Sequence, residues 1–270
     1  MVLAGIPALL SDEFETLSEE SAGAGIVVFC KIFENRHARN SLSRDVRLRV
    51  LQLMSKVIFQ GKEDDVMLKY VASIYLFATQ DANVLQDISS DEACMRVIYF
   101  FLHHGLDGED IGLIRIAVGI LSHLGETISF DEHLEGLMLR VLDQEDVVAS
   151  ARAALMLCKV VYAPEDALMR FSPKLITRLL RMLYSAKRTI EVELKVLKIL
   201  VAVFRQPNAL DLVSRSDLKE FVVFCEIRMT NAEGLRLCVS ALHNFLCHEK
   251  HRQTEECAAV ARCLCNLLYS

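Results

Sequence analysis

Apolar residues recur at spacings of three and four along almost the whole chain, which is the period of amphipathic helices. In 64–80 this spacing puts Val66, Tyr70, Ile74 and Phe77 on one face, with Leu68 and Val71 beside them. Asp64 and Asp65 stand at the expected N-terminus, where carboxylates complement the helix dipole. In 189–205 the stripe is Val192, Val196, Ile199 and Val203, flanked by Leu197 and Leu200. Thr189 is the expected N-cap there, and Pro207 ends the segment. Read this way, the pattern predicts helices over 19–35, 43–60, 64–80, 89–104, 109–125, 131–143, 145–162, 172–186, 189–205, 215–229, 231–248 and 252–269. The breaks are short, so sequential helices are expected to be antiparallel neighbours.

Six of these helices resemble one another. Their cores read AGIVVFCKIF (24–33), KYVASIYLFA (69–78), LIRIAVGILS (113–122), ARAALMLCKV (151–160), ELKVLKILVA (193–202) and LRLCVSALHN (235–244). They start about forty residues apart, close to the period of armadillo and HEAT units. One helix pair cannot cover its own apolar face, so stacked neighbours must do it. The expected fold is all-α: a right-handed superhelical armadillo/HEAT-like solenoid of about six helix pairs, forming one helical-repeat domain over 1–270. Residues 1–18 are expected to form a poorly ordered or short-helix N-terminal cap. The spacing often leaves no room for the third, short helix of an armadillo unit. HEAT-like pairs are therefore expected over 109–162, with an extra short helix possible at 164–171.

Composition agrees. Only 11 Gly and 4 Pro occur in 270 residues, too few for an all-β fold with many tight turns. The net charge of −6 disfavours direct nucleic-acid binding. No apolar run reaches the length of a membrane span, and Lys69, Arg96, Arg115, Lys159 and Lys195 interrupt the best candidates, so no membrane is expected. Nine cysteines, an odd number lying mostly within apolar helical stretches, read as free thiols of a nuclear or cytoplasmic protein.

Candidate chemistry is sparse. No phosphate loop, dinucleotide fingerprint or nucleophile elbow is present, and no catalytic residue, cofactor or metal is expected. Gly23 and Gly25 are expected to let two helices approach closely. The C-terminal group Cys238, His243, Cys247, His248, His251, Cys257, Cys263 and Cys265 invites a zinc reading, with His243, Cys247 and His251 on one stripe and Cys257 closing a tetrahedron. No CxxC pair supports it, and buried thiols with solvent-side imidazoles are the plainer reading. His103 and His104 close a helix, where imidazole suits the dipole. The acidic residues at 63–65, 91–92, 109–110, 131–132 and 145–146 read as helix caps.

Two basic clusters stand out. The first holds Arg36, Arg39, Arg44, Arg47 and Arg49. The second holds Arg170, Lys174, Arg178, Arg181, Lys187 and Arg188, extended by Lys195 and Lys198. Of these, Arg39, Arg44, Arg47, Lys174, Arg178, Arg181, Lys187 and Arg188 are the candidate partner-binding residues, for an acidic protein segment or phosphates. An ordinary solvated helix face is the competing explanation.

The stretch from about 20 to 102 resembles the Wapl family of cohesin-release factors, which carry a HEAT-like C-terminal domain. The resemblance lies in order and spacing. AGAGIVVFCKIFEN runs into RHARNSLSR, then RLRVLQLMSKV with the acidic exit GKEDD, then VMLKYVASIYLFATQDANVLQDISSDEACMRVIYFFL. It covers about a third of the chain. These 270 residues do not include the long N-terminal region with aromatic partner-binding motifs common in larger members, so no function resting on it is expected of them. The resemblance implies a non-catalytic scaffold in the nucleus that binds cohesin subunits and their HEAT-repeat regulators and promotes cohesin release from chromatin. The alternative is a general armadillo/HEAT adaptor in transport or chaperone function. The absence of Trp argues against an import receptor with a Trp/Asn cargo ladder.

Overall fold

The structure, a computed structural model, describes residues 19–59, 64–162, 171–184, 189–206, 208–228, 231–248 and 255–269. The cap expected at 1–18 lies outside these, as does nearly all of the short helix expected at 164–171. Every described element is a helix or a turn. The chain divides into two compact units, 1–128 and 129–270.

In the first unit the helices are α1 (Glu19–Glu34), α2 (Arg36–Ser41), α3 (Arg44–Phe59), α4 (Asp65–Ala78), α5 (Ala82–Ser90), α6 (Glu92–Asp107) and α7 (Ile111–Leu124). They pack in two layers. Helices α1, α4 and α7 stack in order in one layer, while α3 and α6 stack in the other, with the short α2 and α5 packed beside them. Each helix of the first layer thus meets the helix three elements away. The unit of repetition is a short helix followed by two longer ones.

In the second unit the helices are α8 (Glu132–Asp143), α9 (Val147–Tyr162), α10 (Pro173–Tyr184), α11 (Ile190–Val203), α12 (Ala209–Leu212), α13 (Arg215–Arg228), α14 (Ala232–Cys247) and α15 (Glu255–Tyr269). Here α9, α11 and α14 stack in one layer, and α8, α10, α13 and α15 in the other. All six mutually similar cores belong to the first kind of layer: α1, α4 and α7 in one unit, α9, α11 and α14 in the other.

Three elements differ from expectation. Helices α2, α5 and α12 are the short third helices that the spacing seemed to exclude. Six, nine and four residues long, they span too few turns to show a hydrophobic period. Within 109–162 the helices α7, α8 and α9 follow one another with no short third helix between them, in line with the HEAT-like pairs expected there. The face assigned to 64–80 was rotated. Leu68, Val71, Ala72, Ile74, Tyr75 and Ala78 are buried, whereas Val66 is 57% exposed. Val66 sits in the first turn, ahead of the point where the neighbouring layer covers the helix. The stripe predicted for 189–205 is buried throughout: Val192, Val196, Leu197, Ile199, Leu200 and Val203.

The acidic helix starts work as caps. Asp64, Asp91, Asp110 and Asp131 accept hydrogen bonds from the N–H groups of Met67, Cys94, Leu113 and Leu134, and Asp146 accepts from Ala149 at 2.8 Å. Immediately before two of these caps, Glu109 and Glu145 adopt φ of 53° and 54°, the left-handed region that an L side chain enters at a cost. Gly105 serves a different need. A methyl group there would lie 3.1 Å from the backbone N and the side chain of Ile114, so its absence lets α6 close onto α7. At Gly23 a methyl would meet Met67 of α4 at 3.1 Å, in keeping with the close approach expected of that glycine.

The buried Tyr75 and Ser55 hydroxyls of the first unit are paired. The Tyr75 hydroxyl donates to the Leu51 carbonyl at 3.0 Å and lies 2.6 Å from the Ser55 hydroxyl. Burial pushes the neighbouring Cys94 thiol up to about 11. In the second unit Phe204 contacts both Phe221 and Phe245, with ring centroids 5.6 and 5.7 Å apart, which joins α11, α13 and α14 at one end.

The turn before α9 yields a paired test. Glu145→Gly is expected to raise stability by about 1 kcal/mol by relieving the left-handed backbone. Its neighbour Asp146→Ala is expected to lower stability by about 1 kcal/mol through loss of the cap. Urea-unfolding midpoints should shift in opposite directions. Shifts of the same sign would reject this account of the turn.

Candidate partner-binding surface

Most of the arginines singled out in the sequence tie one repeat to the next. Arg39 is 5% exposed; it donates to the Phe33 carbonyl at 2.7 Å and to Gln80 at 3.3 Å. Arg47, almost as buried, donates to Asp81 at the start of α5. Arg44 is exposed and donates through Nε to Asp87 at 2.7 Å. On α10, Arg178 donates to the Leu142 carbonyl at 2.8 Å and pairs with Asp143 at 3.0 Å, both at the end of α8. Lys174 and Arg181 remain exposed on α10, while Lys187 and Arg188 lie outside the described residues. The second cluster is also divided between layers: Lys174 and Arg181 belong to the α8–α10–α13–α15 layer, Lys195 and Lys198 to the α9–α11–α14 layer.

The physical reason is the partner's place in sequence. Asp81 stands 34 residues beyond Arg47 and Asp87 stands 43 beyond Arg44, each in the neighbouring repeat, so a local charge pattern cannot reveal the pairing. At Asp81, burial pulls the carboxyl upward. The bond from Arg47 and the N–H of Asn83 outweigh this, and the carboxyl sits below its ordinary value. The Arg44 bond lowers Asp87 likewise.

Helices α1, α4, α9, α11 and α14 each bury one side against the other layer and turn the opposite side toward solvent, whereas α7 is buried all round from Ala117 to Ser122. In the first unit the solvent side mixes signs: Lys31 pairs with Glu34 at 2.8 Å and Lys69 with Asp110 at 2.7 Å. In the second unit the solvent side carries Arg152 and Lys159 on α9, Lys195 and Lys198 on α11, and Arg236 on α14. Its facing carboxylates are Glu191 and Glu233, the latter 3.1 Å from Lys198, whereas Glu193 is buried. Arg152, Lys159 and Arg236 were not singled out from sequence. The usable signal is register from the caps: Arg152 and Lys195 each stand six residues after Asp146 and Thr189, and Arg236 stands five after Asn231.

The C-terminal cysteines and histidines separate. Cys238 and Cys263 are buried, Cys247 and Cys265 are exposed, and Cys247 Sγ lies 3.7 Å from a ring nitrogen of His243. His248 meets the Arg205 carbonyl at 2.9 Å. His251 lies outside the described residues. Among the described residues no three His, Cys, Asp or Glu are placed to hold a metal ion. At the end of α6, the His104 ring stacks on Phe100 and lies 3.2 Å from Asp65. No described helix is long and apolar enough to cross a membrane.

No protein-family model matches the chain, and no curated protein matches it. Solved structures do. A designed armadillo repeat protein in complex with the peptide (KR)4 is 10% identical over 89% of this chain and 99% of its own, with a TM-score of 0.58. An engineered protein from the Northeast Structural Genomics Consortium is 14% identical over 90% of this chain and 96% of its own, at 0.57. A second engineered protein from that consortium is 11% identical over 90% and 98%, at 0.53. These likenesses show the fold: the chain is an all-α solenoid of armadillo-like repeats.

Arg47→Met leaves Asp81 half-buried without its cation and is expected to destabilise the first unit by about 3 kcal/mol. Arg44→Ala, at an exposed and solvent-screened pair, should move the urea midpoint far less. The lowered carboxyls of Asp81 and Asp87 contribute stability above about pH 4, the unfolded value, and lose it as pH falls through their folded values. The acid limb of the urea midpoint against pH should therefore be shallower in Arg47→Met than in the wild type. Equal limbs would exclude the Arg47–Asp81 pair as its source.

Proposed function

We propose that the chain is a non-catalytic scaffold that binds protein partners along its repeated helices. One observation carries this reading: in each unit the helices of this layer stack side by side, and α1, α4, α9, α11 and α14 each present one side toward solvent. Stacked repeats make such a side into a long, regular surface built on a rigid core. The designed armadillo protein of the same fold holds a peptide, which supports a peptide or protein ligand for this chain. Of the residues first proposed for docking, the exposed Lys174 and Arg181 on α10 remain candidates.

The finer reading is a Wapl-like regulator that binds cohesin and its HEAT-repeat partners in the nucleus and promotes cohesin release. It is supported by the order of segments between residues 20 and 102. A general armadillo adaptor in transport or chaperone exchange is the second reading, supported by the fold alone.

Purification of the tagged protein from its own cells, with mass spectrometry of what accompanies it, separates these readings. The scaffold reading expects stoichiometric protein partners. Recovery of cohesin subunits supports the Wapl-like role. Transport factors or chaperones without cohesin reject that role and keep the adaptor. Recovery of the chain alone overturns the scaffold itself.

A further inference from the structure

We infer that the outer side of α14 and α15, the last described repeat of the second unit, is the interface on which two copies of this chain pair. The inference stands apart from the scaffold reading, which needs no second copy. It starts from how the interior helices of this unit are covered. Counted from the N-caps Asp146, Thr189 and Asn231, the same place is held by Ala154, Leu197 and Val239, and a later one by Val161, Phe204 and Leu246. In α9 and α11 these residues are buried, with Leu197 and Phe204 at 0% exposure. Phe204 shows what covers them: its ring meets Phe245 of the next repeat at a centroid distance of 5.7 Å. On α14, Val239 and Leu246 are only half-buried, and so is Leu235 on the same face.

The other layer repeats the contrast. On α13, Phe221, Val222, Phe224 and Cys225 are all buried. The Cys263 thiol of α15 donates to the Val222 carbonyl at 3.7 Å, so α15 covers that edge. Helix α15 has the same pattern in Val260, Ala261, Cys263 and Leu264. Val260 and Cys263 are buried, but Ala261 and Leu264 are half-buried, and Leu268 one turn further on is 62% exposed. The uncovered residues of α14 and α15 thus mark the side on which a further repeat would stack.

A terminal repeat ordinarily carries a polar outer side. Here Leu235, Val239, Leu246, Ala261, Leu264 and Leu268 offer no charge and no hydrogen-bonding group. A contiguous patch of this kind marks an interaction surface. A second copy is the occupant that fits it. That copy brings the same apolar ridges that pack repeat on repeat within the unit, and these six positions set no charge against its like. A charged partner would find no counter-ion among them. Two identical faces can also close about a two-fold axis, which covers both at once. The area suffices. Helix α14 has 16 residues, about 24 Å at 1.5 Å per residue, and two adjacent helices are about 20 Å wide. Two such faces together bury on the order of 1,000 Å², the lower bound for a specific interface, so the pair forms reversibly.

The test is sedimentation velocity of the full chain from about 1 µM to about 200 µM. The expected result is passage from the 30.4 kDa monomer to a species of twice that mass as concentration rises. Leu268→Glu puts a charge on the most exposed position of the face and is expected to raise the dimer Kd about tenfold or more. Ile227→Glu, at a residue 73% exposed on α13 and outside the face, is expected to change it less than about twofold. Circular dichroism checks that both variants are folded. Hydrogen exchange of the wild type needs no substitution: amides of α14 and α15 are expected to exchange faster on dilution, while those of α8 keep their rates. The inference is overturned by a wild type that stays monomeric, by equal loss in the two variants, by exchange that ignores dilution, or by masses that climb past the dimer. A monomer whose co-purifying proteins are lost only in Leu268→Glu gives the face to a different partner and equally rejects the second copy.

Discussion

The structure depends on one constraint: no helix pair in this chain can cover its own apolar side. Helix α11 shows why. Val192, Val196, Leu197, Ile199, Leu200 and Val203 span nearly half of its circumference, and α10 alone cannot shield them. α9 and α14, from the preceding and following repeats, close the remainder. Hydrophobic burial is therefore supplied by adjacency, and each repeat is stable only as a member of a stack.

The polar contacts obey the same rule. Arg47–Asp81, Arg44–Asp87, Thr79–His123, Thr177–Asp217 and Asn244–Val201 link residues 34 to 44 positions apart, which is one repeat. Such pairs set the register between neighbours. A buried arginine such as Arg39 or Arg47 tolerates only one partner geometry, so a slipped stack would strand a buried charge. The hydrophobic stripes favour stacking, and the arginines select one alignment of the stack.

Much of this was legible from residues alone, and the parts that were not share a cause. Long helices repeat their apolar pattern several times, so α4, α11 and α14 were visible, and so were the caps at Asp64, Asp110 and Asp146. A six-residue helix such as α2 completes fewer than two turns and offers no period to read. Arg39 there, with Arg44 and Arg47 on α3, then looked like a surface cluster, because nothing near them in sequence marks Gln80, Asp87 and Asp81 as their partners. Val66 was placed with the core because periodicity gives spacing but not where a neighbouring layer begins to cover the helix. The basic side of α9, α11 and α14 went unseen because it becomes one surface only when three helices forty residues apart are laid side by side.

The buried cysteines give the stack a set of reporters. Cys30, Cys94, Cys158, Cys225, Cys238 and Cys263 lie in six different helices, α1, α6, α9, α13, α14 and α15, and all six are buried. Burial raises most of these thiols, with Cys263 at about 12, so in the closed state they are poor nucleophiles as well as inaccessible. An alkylating reagent can reach each one only when its own repeat opens. In a structure held together by nearest neighbours, opening need not be global, and end repeats are shielded on one side only. The rates at which the six thiols are modified would therefore map local opening along the chain, and exposed Cys247 and Cys265 would mark the fast limit of the scale.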